Sequence, residues 1–460
     1  MKRRRFLKTT TAGLIISPFY LSSLKTKSLN IRSEGIDTYR EPARDISVID
    51  SYDVIIAGGG PAGIAAAIAS GRQGVKTLLL ESQGCLGGTW TAGLLSWILD
   101  YENKSGLMSE ITSKLTAMGA KCPIETEDDY AFDVEKMKLL LEKMCLDAGV
   151  DILLHSQVVT AAKDQNNQLT HIITESPSGR EAWRGKLFVD CTGDGDLAAR
   201  AGCKYEVGDE QGNIQPMSLM GLISGVRFKE IEPFVRYMGD EGHRSKQRLY
   251  QKIVAGGYEP STRATGLFPI RRSLFMLMAN HEYGYKGFDT RDVTKATLHA
   301  RNELHRIIEA LKSHGGSWSS LHLVTTGDHI GVREGRRIHG LYTVTEDDML
   351  RGARFKDAVC HVTFGVDVHS VSKSDEDKDK SYSRGVKTKS YDIPLRALIA
   401  KDVKGLMMAG RCISGDFIAH SSYRVTGNAV PMGEAAGRAS ALAAKKNTLP
   451  QSIPIDKITN

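Results

Sequence analysis

The chain has 460 residues and a formal charge of +7 at pH 7, from 61 Lys and Arg against 54 Asp and Glu. The whole excess lies in the first 27 residues, where Lys2, Arg3, Arg4, Arg5, Lys8, Lys25 and Lys27 stand without an acid, so the remainder is balanced and gives no support to nucleic-acid binding. Seven cysteines form neither the C-x-x-C pair a dithiol reductase needs nor a zinc-ligand spacing, so no metal centre is expected, and their odd number argues against a disulfide framework.

Residues 1–30 read as a signal peptide. Arg3 to Lys8 spells RRRFLK, which resembles the twin-arginine motif R-R-x-F-L-K, and the apolar stretch Ala12–Leu21 follows it. That stretch is about half the length of a membrane-spanning helix, so no stable membrane span is expected. The reading predicts engagement of the twin-arginine export machinery and a periplasmic or secreted product. A polar spacer, 31–49, separates the leader from the body.

From Tyr52 the chain reads YDVIIAGGGPAGIAAAIASGRQGVKTLLLESQG. Val54–Ala57 is a short, wholly apolar run suited to a strand buried on both faces. Gly58, Gly60 and Gly63 then form G-x-G-x-x-G, Pro61 and Ala62 open a small-residue helix to about Ser70, and Lys76–Leu80 is a second strand ending in Glu81. This is half of a βαβ dinucleotide site. Gly58 permits the tight turn, Gly60 lets a pyrophosphate approach the helix N-terminus, Gly63 permits close helix–strand packing, and Glu81 can accept hydrogen bonds from a ribose.

Helical spacing of Val134, Met137, Leu140, Leu141, Met144 and Ala148 predicts a scaffold helix over Ala131–Gly149. The strand Asp151–His155 follows and joins the same sheet, and a polar meander with a turn at Asn166 and Asn167 leads to the strand Leu187–Val189. Behind it, Thr192, Gly193 and Asp194 read as a second loop closing over the first cofactor. An independent nicotinamide site at Gly193, Gly195 and Ala198 is disfavoured, because the helix ends near Gly202 and no second strand with its acid follows. A long helix spans Asp292–His314. In GVREGRRIHG (Gly331–Gly340), Arg333 or Arg337 can clamp an anionic or polyhydroxylated substrate or the cofactor pyrophosphate, or the cluster is a buried ion-pair network. Ser372–Ser381 is a solvated loop. Gly405–Cys412 runs strand into glycine again, and a small-residue helix opens at Pro431–Gly437.

Taken in order, Gly58-x-Gly60-x-x-Gly63 with Glu81, then DCTGDGDLAARAG, GVREGRRIHG, YDIPLRAL and MMAGRCIS resemble the bacterial FAD-dependent oxidoreductase family, within the glutathione-reductase-like FAD superfamily. The resemblance covers roughly Ser51–Ala444. It implies an α/β fold: a Rossmann-like FAD-binding domain built from the discontinuous segments 50–203 and 391–446, an inserted α+β substrate domain at 204–390, and a C-terminal tail at 447–460. It further implies FAD as cofactor, with Gly58, Gly60, Gly63 and Glu81 on the ADP half. The loop with Gly88, Thr89 and Trp90, and the segment from Gly410 and Arg411 to Gly433, would surround the flavin. Trp90 departs from the smaller residues usual in the family and marks either a changed flavin fit or a substrate contact.

Flavin dehydrogenation needs a base for the substrate proton beside the hydride acceptor. His420 is the first candidate and His369 the second, with Tyr423 and Arg424 as substrate contacts. Export places the enzyme where free nicotinamide dinucleotides are scarce, so the expected function is a dehydrogenase or oxidase that passes a hydride from a small polar molecule (a sugar, polyol or hydroxy acid) to FAD. Electrons then leave to oxygen, a quinone or a redox protein. A fumarate-reductase-like enzyme driven by a reduced partner is the alternative, followed by a flavoprotein with redox-neutral or structural use of FAD.

Overall fold

The apolar runs VIIA and LLL lack the alternation of half-exposed strands, and they form the centre of a sheet covered on both faces. A computed structural model describes residues 39–126, 129–240, 244–376 and 382–459, so the predicted leader and residues 377–381 of the acidic loop lie outside the described residues. Contacts divide the chain into Met1–Asp45, of which residues 39–45 are described and carry no helix or strand, and Ile46–Asn460.

The larger unit opens with β1 (Val48–Ala57), α1 (Pro61–Arg72) and β2 (Thr77–Leu80). Helix α2 (Val134–Asp147), capped by Asp133 on the backbone N–H groups of Glu135 and Lys136, returns the chain to β3 (Val150–Leu153). A meander of β4 (Gln157–Lys163), β5 (Leu169–Ser176) and β6 (Gly179–Asp190) follows. The sheet order is β3-β2-β1-β6-β5-β4. The pairings β3/β2, β2/β1 and β1/β6 are parallel, and the meander pairs antiparallel. The predicted polar connection is therefore two further strands, with Asn167 at φ 61° in the turn between β4 and β5.

A four-stranded antiparallel sheet comes from the middle of the chain: β7 (Gly221–Ser224), β8 (Gly266–Arg271), β9 (Leu274–Met278) and β10 (His322–Thr326), in the order β8-β9-β7-β10. Between β7 and β8 lies α3 (Arg244–Ala255), and between β9 and β10 lies α4 (Thr290–Lys312). Helix α4 buries Ala296, Ala300, Leu304, Ile307 and Leu311, a stripe at helical spacing, in a core shared with Leu219, Ile223, Phe275 and Leu277. This second core spans Met217–Ile330. Ile338, Val344, Met349, Val362, Val366 and Val368 pack instead into the first core, although the sequence reading assigned 204–390 to one inserted domain.

The chain re-enters the first sheet as β11 (Leu406–Met408), parallel to the C-terminal end of β6. Two helices complete it, α5 (Phe417–Tyr423) and α6 (Thr426–Lys445). Helix α6 begins at Thr426, earlier than the predicted start at Pro431, and Pro431 sits inside it. Gly433 is consequently not a helix-start glycine beside the cofactor. A Cβ there would lie 2.0 Å from the Ala62 carbonyl oxygen, and one at Gly437 would lie 2.1 Å from that of Ala66. The two glycines let α6 lie directly against α1. Among the described residues no helix is long and apolar enough to cross a membrane, and all seven cysteine thiols are free.

Candidate active site

Strands β1, β2, β6 and β11 end side by side, and the loops leaving them line one cavity of about 1010 Å³. Such a crevice at the carboxyl ends of parallel strands is where open α/β sheets bind ligands, and this one lies at the upper limit of the usual pocket size of about 300–1,000 Å³. The cavity continues from the glycine loops past Val425, Thr426 and Ala429 to residues of the antiparallel sheet.

At the sheet end, Gly58 has φ +97°, and a Cβ on it would lie 2.5 Å from the Cys191 carbonyl oxygen. Gly60 caps α1 with extended backbone, and among the described residues no side chain caps that helix and no atom lies within 4 Å of a Cβ built on Gly60. The first backbone N–H groups of α1 thus open onto the cavity, an arrangement suited to a pyrophosphate. Glu81 is buried at the end of β2. Its Oε2 accepts from the Gly59 N–H at 2.7 Å, while its Oε1 accepts from the Gln83 N–H at 2.7 Å and from the Ser82 hydroxyl at 3.1 Å. One lone-pair site remains for a ribose hydroxyl.

The second and third glycine loops are tied to each other. Arg411 donates to Asp194 at 2.7 Å, and both residues line the cavity with Thr192, Gly193 and Gly410. Asp190, at the end of β6, shapes the loop by accepting from the Thr192 N–H at 3.0 Å, the Thr192 hydroxyl at 2.7 Å and the Ala198 N–H at 2.8 Å. Burial raises its carboxyl to about 6 despite these bonds. Pro61, Ala62, Gly88 and Thr89 also line the cavity, whereas Gly63 packs behind the loop. Trp90 neither reaches the cavity nor touches a ligand space. It is fully buried and packs edge-on to Phe132 with centroids 6.3 Å apart, so the expected substrate or flavin contact is replaced by core packing.

The cluster GVREGRRIHG divides in two. Arg337 and Glu334 form a buried pair at 2.6 Å, and Arg337 also donates to the carbonyls of Gly415 and Gly208. Arg336 binds Asp196 and stacks on Phe288 at 4.3 Å. Of the cluster's charged residues, Arg333 alone lines the cavity, beside Gly331 and Val332. Its guanidinium donates to the Pro216 carbonyl at 2.7 Å and to the Ser218 hydroxyl at 2.9 Å, and lies 3.4 Å from His281 Nε2.

The four candidate catalytic residues also separate. His420 is wholly buried in α5, outside the cavity lining, with neither ring nitrogen hydrogen-bonded among the described residues. Tyr423 is equally buried and donates to the Ile413 carbonyl at 3.1 Å, a structural bond. His369 and Arg424 line the cavity together and meet at Asp367. Arg424 donates to the Asp367 backbone carbonyl at 2.8 Å and to its carboxylate at 3.1 Å, and His369 Nε2 lies 3.3 Å from that carboxylate. The His369 backbone is fixed in turn by its N–H donating to Gln215 Oε1 at 3.0 Å, and its Nδ1 is buried with no hydrogen-bond partner among the described residues.

Burial lowers the His369 imidazole to about 4, with Arg333 adding to the effect and Asp367 opposing it. Burial alone would raise the Asp367 carboxyl, but His369, Arg424 and Arg333 outweigh it and hold the group well below the usual carboxylate range. Arg333 is pulled down to about 10 by burial and by neighbouring Arg424. Sequence reasoning missed Ser218, Arg236, Lys246 and His281. His369, Arg424 and Arg333 are the sequence candidates that the fold brings to this end of the cavity.

The profile of the family described as FAD dependent oxidoreductase matches residues 53–460. The chain is 37% identical over 92 residues to the mitochondrial dihydrolipoyl dehydrogenase of Dictyostelium discoideum, a stretch covering 20% of this chain and 19% of that protein. It is 62% identical over 37 residues to ferredoxin--NADP reductase 3 of Lysinibacillus sphaericus (strain C3-41), covering 8% of this chain and 11% of that protein. The match thus spans about a fifth or less of these relatives' length. Among solved structures, a geranylgeranyl bacteriochlorophyll reductase-like protein from Thermoplasma acidophilum superposes with TM-score 0.47 at 15% identity, over 86% of this chain and 80% of that one. The p-nitrophenol 4-monooxygenase PnpA from Pseudomonas putida DLL-E4 gives 0.47 at 10% identity, over 89% and 84%. With the family profile covering nearly all of the described chain and a cradle whose open helix N-terminus, glycines and Glu81 fit a dinucleotide, this protein belongs to the FAD dependent oxidoreductases, and FAD is its cofactor.

Proposed function

We propose that the enzyme is an exported dehydrogenase or oxidase that oxidises a small polar substrate bearing a CH–OH group. The observation that supports this best is the meeting of His369, Asp367 and Arg424 in the same cavity as the FAD cradle. FAD supplies a hydride acceptor when bound. His369, which holds Asp367 on Nε2, is the acceptor of the substrate hydroxyl proton, and Asp367 stabilises the resulting imidazolium. Asp367 is a positioning residue, kept ionised by Arg424. The apolar wall of Trp97, Phe268 and Met276 excludes water from the carbon skeleton. Two buried arginines beside the base also suit the reductive alternative, in which an enoate is the acceptor and a redox partner the donor.

Anaerobic mixing of purified holoprotein with alcohols, sugars, polyols and hydroxy acids separates the two. Bleaching of the oxidised flavin band is the expected result. Reoxidation of chemically reduced enzyme by an enoate, with no bleaching by any alcohol, would replace this reading with the reductive one.

The RRRFLK leader supports export after folding, since the twin-arginine route accepts folded proteins and a cofactor closed in by three separated loops must be inserted before transport. The double variant Arg3→Lys, Arg4→Lys is expected to accumulate coloured holoprotein in the cytoplasm. Cell fractionation with flavin fluorescence measures it, and unimpaired export of that variant would remove the proposal.

A further inference from the structure

The end of the cavity formed by the antiparallel sheet is lined by four cations, Arg236, Lys246, Arg333 and Arg424, and by two carboxylates, Asp129 and Asp367. Asp240 lies behind this lining, where its carboxylate is engaged by the backbone N–H and hydroxyl of Ser245. Asp367 is shared between Arg424 and His369. Arg333 is held by a carbonyl, a hydroxyl and a neutral histidine, with no carboxylate among the described residues hydrogen-bonded to it. The Lys246 ammonium, carried on the first turn of α3 and turned into the cavity, makes no hydrogen bond or ion pair with any described residue. A cation drawn into a closed space without a partner is costly, and a bound anion removes the cost. Burial, followed by the nearness of Arg236, pulls Lys246 below the usual ammonium range, against the opposing pull of Asp367, Asp240 and Asp129.

We infer that the substrate carries a carboxylate, bound by Lys246 and Arg333, and is a small 2-hydroxy or sugar acid rather than a neutral sugar or polyol. This rests on the proposed oxidation of a CH–OH group and narrows its substrate class. The carboxylate also completes the chemistry. A negative charge beside His369 and Arg333 favours the protonated imidazole and so strengthens a base that the surrounding cations otherwise weaken. Met220, Met276, Met278 and Phe268 form the apolar wall for the carbon chain. Bound FAD would supply the acceptor for the hydride and its two electrons, while within the chain His369 takes the O–H proton as the carbinol becomes a carbonyl.

The test uses oxidised holoenzyme under anaerobic conditions and matched probes: lactate against propane-1,2-diol, gluconate against glucitol, and glucuronate against glucose. Binding is read as a shift of the flavin absorption band, which requires no turnover. At least one acid should bind ten or more times tighter than its neutral partner. Lys246→Met should lower that affinity about 10- to 100-fold, and Lys246→Arg should restore part of it, with melting temperature and flavin reduction potential unchanged. Equal or tighter binding of every neutral partner, no binding by any acid, or full affinity in Lys246→Met would overturn the inference. A shift of the flavin potential in Lys246→Met without loss of acid binding overturns it too, because the lysine then serves the flavin. Acid binding without bleaching leaves the carboxylate site standing and removes the dehydrogenase reading, while bleaching by a neutral alcohol alone does the opposite.

Discussion

Gly63→Val should yield a protein without bound FAD, recovered in low amount. A Cβ at this position would lie 1.7 Å from the Gly58 carbonyl oxygen and 3.2 Å from Cys191 Cβ. Gly58 cannot yield, because its N–H is bonded to the Leu80 carbonyl at 2.7 Å and its own Cβ direction faces the Cys191 backbone. Strand, turn and helix must therefore separate, costing at least the roughly 1–3 kcal/mol of an overpacked core and displacing the cradle with it. Gly60→Ala provides the contrast. Its Cβ meets no protein atom and its φ of −71° suits alanine, so the fold and melting temperature of the apoprotein should be kept while FAD affinity falls, since the methyl occupies space the pyrophosphate needs. Heat release of FAD and the absorption of purified protein measure both variants. Wild-type FAD content in Gly63→Val would show that the cradle is not built as described.

His369→Asn is expected to keep FAD and to slow its reduction by substrate about 10²- to 10⁴-fold, the usual contribution of a positioned base. Asp367→Asn should cost less in rate but change the pH profile, because it removes the charge that stabilises the imidazolium. In the wild type, His369 accepts a proton only when neutral, so kcat/KM should rise with pH through the His369 pKa of about 4 and level off above it. With a carboxylate substrate bound, the corresponding limb of kcat lies higher, since the anion favours the protonated ring. His420→Ala, at a buried position outside the cavity, should leave the reduction rate per bound FAD close to that of the wild type. Stopped-flow measurement of flavin bleaching ranks the three. A full-rate His369→Asn with a slow His420→Ala would return the base to His420.

The first half-site was legible in the sequence because its parts are contiguous. Val54–Ala57, the three glycines, Pro61 and Glu81 each meet a local demand: a doubly buried strand, a tight turn, a close approach, an open helix start and an acid at a strand end. The same locality made the helices at Val134–Asp147 and Thr290–Lys312 and the strand at Leu406–Met408 readable. Trp90, Gly433 and His420 were misread for one reason. A glycine-rich or polar stretch near a cofactor loop has two sides, and its spacing does not state which side faces the ligand. Trp90 faces Phe132, Gly433 faces Ala62, and His420 is enclosed in α5.

What the sequence by itself determined is the dinucleotide cradle and, through the order of its motifs, the family. Only the tertiary structure decided the chemistry's end of the cavity, where Lys246, Arg333, Asp367 with His369, and Arg424 come from four separate stretches of chain. Cofactor recognition rests on backbone conformations that neighbouring residues encode together, whereas charge balance among side chains distant in sequence exists only once the antiparallel sheet has been brought against the strand ends.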